Sequence, residues 1–157
     1  MKNLFLLSVL MLSSCIAFPC SCDPLPKLTK RGVQESSKIF EGKIIAIHYD
    51  TLNRSKVATF VVTKGLRSTK ISDMILVRTS GSGASCGLYF EKGQTWYIFP
   101  YEYKGVLRAG LCGRSLQLTK LNKQGNIFSK NWWLYSKYFR KQKKRYHRDK
   151  RVIRGAN

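Results

Sequence analysis

The sequence predicts a mainly β fold: a small closed barrel of five short strands, with a short helix before the first strand and a basic helix at the C-terminal end. Three observations carry this. Runs rich in β-branched and aromatic residues alternate with Gly-, Asn-, Asp- and Ser-containing turns. Roughly 140 residues follow an apolar leader, a normal size for one domain with a real core. Five short strands with Gly-rich connections suggest a small closed barrel rather than a sandwich.

The leader comes first. Lys2 provides a short positive region, and Leu4 to Leu12 is apolar apart from Ser8. That run is too short to span a bilayer and suits a secretory signal, here residues 1–17. "LSSC" at Leu12 to Cys15 has the form of a bacterial lipobox (12–15), whose cleavage leaves Cys15 as the lipid attachment site. Ordinary cleavage after Ala17 leaves Phe18 as the N-terminus. The chain is therefore expected to be exported, and either secreted or lipid-anchored at the cell envelope.

Four cysteines remain beyond Cys15: Cys20, Cys22, Cys86 and Cys112. Pairing Cys20 with Cys22 would close a strained ring. The other two pairings each tie the N-terminal segment to two distant points. Export favours bridges over free thiols. A zinc knuckle needs C-x₂₋₄-C spacing, and one C-x-C with two isolated cysteines does not supply it.

The body then reads in order. "TKRGVQESSK" predicts a short helix with Thr29 as its cap. "IFEGKIIAIHY" (39–49), "VATFVVTK" (57–64), "MILVRTS" (74–80) and "TWYIFPY" (95–101) predict four strands. "GVLRAGLC" and "SLQLTKL" form a fifth region, bent at Gly110 or Gly113. Asn53-Arg54-Ser55 is a glycosylation sequon in a predicted loop. The tail, 126–157, differs in composition. Trp132, Tyr135 and Phe139 recur at helical spacing, so a helix starting near Asn131 can lay one apolar face on the barrel. After Phe139 the pattern fails and Lys and Arg dominate, which predicts a solvated face. The formal net charge is +21. A charge of that size points to attraction by an acidic polysaccharide or an anionic membrane surface, and the export signal argues against nucleic acid.

Enzymatic chemistry has little to stand on. The two histidines, His48 and His147, belong to no H-E-x-x-H, and no nucleophile–base pair can be drawn. "GSGASCG" lacks the Lys and the strand-to-helix setting of a phosphate loop. No cofactor is expected.

"CSCDP", "IFEGKIIAI", "TFVVTKGL", "VRTSGSGASCGLYFEKGQTWYIFPY" and "LCGRS" occur in that order. This set resembles the netrin-like module in the branch of the tissue inhibitors of metalloproteinases, over about Cys20 to Leu118. The resemblance implies a five-stranded OB-fold barrel over 18–125, with Cys20 bridged to Cys86 and Cys22 to Cys112. It also implies a partner, a zinc metalloendopeptidase. In the family the first cysteine is the free N-terminus and chelates the protease zinc through its amine and carbonyl. Carried over, Cys20 is the chelator and Ser21 the pocket residue. Cys22, Asp23 and Pro24 continue the inhibitory ridge, with Ser85 and Cys86 in the loop beside it. A neutral amine is needed, and an α-amino pKa near ~8 allows one. This chain departs from the pattern in carrying residues before Cys20 under either signal cleavage, and it lacks the family's third bridge and C-terminal subdomain. The alternative is a netrin-like binding module without inhibitory activity, attached to the cell surface and binding polyanions or proteins through its basic tail.

Overall fold

The computed structural model describes residues 22–81, 85–119 and 132–156. The leader with Cys15, and Cys20 and Ser21 of the ridge, lie outside the described residues. So do the side chains of Trp132, Tyr135 and Phe139.

The first element is helix α1 (Lys30–Gln34), capped as its sequence predicts: the Thr29 hydroxyl accepts from the Gly32 N–H at 3.1 Å. Seven strands follow: β1 (Ile39–Asp50), β2 (Ser55–Arg67), β3 (Met74–Ser80), β4 (Thr95–Ile98), β5 (Tyr101–Tyr103), β6 (Val106–Arg108) and β7 (Leu116–Gln117). A long helix, α2 (Trp132–Arg154), closes the order. The strands form one sheet in the order β5-β6-β3-β2-β1-β4-β7. It curls into half a barrel, with β5 and β7 as its edges. All pairings are antiparallel except β3 with β6. Register shifts in β1, at Ile39/Phe40, Glu41/Gly42 and Ile44/Ala46, give the curl its local bends.

Two of the predicted strands divide. "TWYIFPY" breaks at Phe99–Pro100, because proline brings no N–H to a ladder. The fifth region divides at its glycines. Its first part pairs beside β3 and its second beside β4, on opposite sides of the sheet.

Alternation along β4 sorts the interior into two cores. Trp96 and Ile98 face one side and join Phe40, Ile44, Phe60, Val62, Ile75, Val77, Leu88 and Phe90. Phe40, Phe60, Phe90 and Trp96 form a chain of edge-to-face rings, with centroids 5.6, 5.4 and 5.0 Å apart. Each such pair adds about 0.5–1.5 kcal/mol beyond burial. Tyr97 faces the other side, with Leu28, Val33, Ile39, Leu66, Leu116, Leu118 and Ile153. This second core is roofed by both helices.

That roof corrects the reading of the tail. The inward face of α2 does not end at Phe139. Tyr146, Asp149, Lys150 and Ile153 recur at helical spacing, and Asp149 and Ile153 are fully buried. A solvated face was expected because two of these four positions are charged. The charges are paired within the fold instead of being turned to water.

Candidate functional site

Cys22 to Thr29 forms neither helix nor strand. Pro24 and Pro26 remove two backbone donors and keep the chain extended. Its course is imposed from outside at two points. Cys22 is bridged to Cys112, with Cα atoms 5.2 Å apart across a sequence separation of 90. A loop of that length is worth roughly 4–5 kcal/mol in the chain-entropy account. At the other point the Arg114 guanidinium donates to the Pro26 carbonyl. Asp23 and Pro24 stand exposed between the two anchors, Leu25 beside them is half-buried, and Leu28 is buried.

The neighbouring loop arrives at the same edge. Cys86 is disulfide-bonded, and the other half of its bridge lies outside the described residues. Its backbone is left-handed, φ 57°, which is uncommon for a residue with a side chain. Its carbonyl accepts from the Leu111 N–H at 2.8 Å, next to Cys112. Ser85 is exposed, and its hydroxyl is hydrogen-bonded to that of Ser80. Cys22, Asp23, Pro24, Ser85 and Cys86 thus belong to one edge, joined through the 110–113 turn.

Behind the edge sits a buried clamp. Arg114 reaches Asp149 of α2 through Nη1, 3.3 Å from Oδ2, while its Nη2 holds Pro26. Burial pushes the Asp149 carboxyl up, and the Arg114 charge and hydrogen bond oppose that rise. A second link lies one turn along. Glu41 accepts from the Tyr146 hydroxyl and from Lys150 Nζ, each at 2.8 Å, and Lys150 also donates to Tyr146 at 2.9 Å. Burial pulls the Lys150 ammonium down, but its bonds to Glu41 and Tyr146 more than reverse this, and its pKa ends above the usual lysine value. Burial also raises the Tyr146 phenol. Tyr97, packed edge-to-face on Tyr146 at 5.4 Å, is raised further, again by burial, and its hydroxyl has no hydrogen-bond partner.

Sequence reasoning missed Arg114, Asp149, Glu41 and Lys150. One signal was available. Asp149 is the sole acidic residue between Asn131 and Asn157, in a stretch otherwise full of Lys and Arg. A lone carboxylate in such a run has a specific cation to meet. The outward side of α2 is as basic as expected: Lys141, Lys143, Lys144, Arg148, Arg151 and Arg154 are exposed. His48 and His147 are both exposed, on β1 and α2. Among the described residues, no group of three or more His, Cys, Asp or Glu side chains could hold a metal ion, and no helix is long and apolar enough to cross a membrane.

No family model matches this chain, and no curated protein matches it in sequence at a significant level.

Proposed function

We propose that this chain is an exported netrin-like protein, of the type of the tissue inhibitors of metalloproteinases, that blocks a zinc endopeptidase with the ridge from Cys20 to Pro24. In this reading the curled sheet is an OB-type barrel whose two divided strands extend the five-stranded pattern. One observation supports the ridge above others: an extended, exposed segment is anchored at both Cys22 and Pro26, with the Cys86 loop fixed beside it. A segment already held in one shape loses little freedom on entering a cleft. Cys20 supplies the zinc ligands through its amine and carbonyl, and Ser21 enters the specificity pocket.

The test compares two recombinant forms against a panel of zinc endopeptidases. The form beginning at Cys20 should inhibit, and the form beginning at Phe18 should not, because an amide nitrogen is no zinc ligand at neutral pH. Acetylating the Cys20 amine should abolish inhibition, and Ser21→Gly should shift target preference without changing stability. Equal inhibition by both forms would replace chelation with simple blocking of the surface. Inhibition by neither form would leave the binding-module reading.

That second reading has its own support in the exposed cationic side of α2. Charge reversal at Lys143 and Lys144 tests it better than truncation, since removing residues 141–157 would also remove Asp149 and Ile153 from the core. Under the binding-module reading, the reversed variant should elute from a heparin column at lower salt.

A further inference from the structure

At the end of the sheet away from α2, the β1–β2 turn, the end of β3 and the 108–113 segment enclose a cavity of about 550 Å³. Arg54, Ser55, Arg78, Ser80, Tyr101 and Arg108 are among its lining residues, and no Asp or Glu among the described residues lines it. Three of its lining residues carry an atom buried without a hydrogen-bond partner: Ser55 Oγ, Arg78 Nε and Arg108 Nε. Two are obligate donors and the third is a hydroxyl that can donate. Buried polar groups are normally paired, so three at one cavity need an explanation.

The charges sharpen the point. Arg78 and Arg108 are direct partners on the parallel strands β3 and β6. Like charges directly opposite one another on a sheet destabilise it. The nearby carboxylate is Asp50, whose Oδ2 lies 3.3 Å from Arg78 Nη2. Asp50 is already engaged by the Asn53 backbone N–H at 3.1 Å and the Asn53 side-chain amide at 2.7 Å. Arg108 has the Tyr103 ring, 5.2 Å from its guanidinium carbon. Arg54 and Arg108 line the same cavity, and no salt bridge joins either of them to a carboxylate among the described residues.

We propose that this cavity binds a tetrahedral oxyanion, sulfate or phosphate, as the free ion or as an ester. Guanidinium groups present planar pairs of N–H donors that match such oxygens, and Ser55 at the same lining carries a hydroxyl with no partner within the fold. An anion between Arg78 and Arg108 also cancels their mutual repulsion. The anion site stands whether or not the ridge inhibits a protease. It lies behind the ridge, because Cys86 and Cys112 line the same cavity, so an occupant braces the loops that carry both cysteines.

The experiment is titration of the full exported chain with inorganic sulfate and phosphate at constant ionic strength, read by calorimetry and by the 31P line of phosphate. The expected result is saturable binding that falls at least tenfold in Arg108→Gln and in Ser55→Ala, and stays unchanged in the control Lys143→Gln/Lys144→Gln. The control removes more charge than either single variant without touching the cavity. Using two separate variants keeps the test valid if one of them folds poorly. Loss of binding in the control as well, or undiminished binding in both cavity variants, would overturn the proposal and assign the effect to the basic surface. A sulfated disaccharide in the second arm separates the sources. Tighter binding than inorganic sulfate points to an ester, and equal or weaker binding to the free ion.

Discussion

Arg114 and Arg108 are two cations taken largely out of water at opposite ends of one sheet, and their surroundings differ. Arg114 meets a buried carboxylate and a backbone carbonyl. Arg108 meets an aromatic face and another arginine across the strand. Where a cation serves the fold, the chain supplies its acceptors from two distant segments. Where acceptors are missing and a cavity stands open, the arrangement is one that an outside anion completes. The same contrast separates the orphan hydroxyl of Tyr97, sealed inside the second core, from that of Ser55 at the cavity.

Mutations can break or sharpen that comparison. The largest effect is expected at Asp149→Ala. It leaves the Arg114 charge buried without its counter-ion and should cost about 3–5 kcal/mol. Urea denaturation should show this, with faster hydrogen exchange at Leu25, Lys27 and Leu28 as well as in α2. The paired change Arg114→Met/Asp149→Leu should recover most of the loss in global stability, while exchange in the segment stays fast because Pro26 has no donor. If exchange there stays slow in both variants, Arg114 does not anchor the ridge.

Ile153→Ala comes next. It empties a fully buried position under the second core and should cost about 2–4 kcal/mol. A value near zero would show α2 to be a solvated tail after all.

Lys150→Met should cost about 1–2 kcal/mol, and pH exposes the mechanism. The folded pKa of Lys150 lies above its usual 10.5, and that of the Tyr146 phenol above 10.0. The folded state holds both protons more tightly than the unfolded state does. Their contribution is therefore complete below about pH 10 and is lost as pH climbs through the raised values. Stability measured from pH 8 to 12 should show this alkaline fall, and Lys150→Met should flatten it.

The smallest effects belong to the orphans. Tyr97→Phe should be neutral or stabilising by up to about 1 kcal/mol, since an unpaired buried hydroxyl only costs. Arg108→Gln without added anion should change stability by no more than about 0.5 kcal/mol. A large loss there would make Arg108 a structural cation like Arg114 and erase the contrast.

Much of the sheet was legible because its strands carry their own pattern. β3 begins and ends where its sequence predicts, and β1 differs by one residue at its end. The single-strand reading of 95–101 missed what Pro100 states plainly. The partnership of β6 with β3 and of β7 with β4 was not legible, since two or three residues carry no register signal. At the candidate site, Cys22 and its bridge to Cys112 follow the resemblance. The clamp behind them does not, because hydrophobic periodicity cannot see an inward face built from Tyr, Asp, Lys and Ile. Nor could spacing reveal the cavity, whose arginines come from the β1–β2 turn, β3 and β6.

The contact from Pro26 through Arg114 to Asp149 also sets an order of events. Pro26 precedes every described strand and Asp149 follows them all. During synthesis the stretch from Cys22 to Pro26 emerges first, but it lacks this second brace until α2 has formed and docked. A protein cut short within α2, by proteolysis or premature termination, keeps its cysteines and loses the brace. The 22–26 segment is thus held at both of its anchors only when α2 is present to seat Arg114.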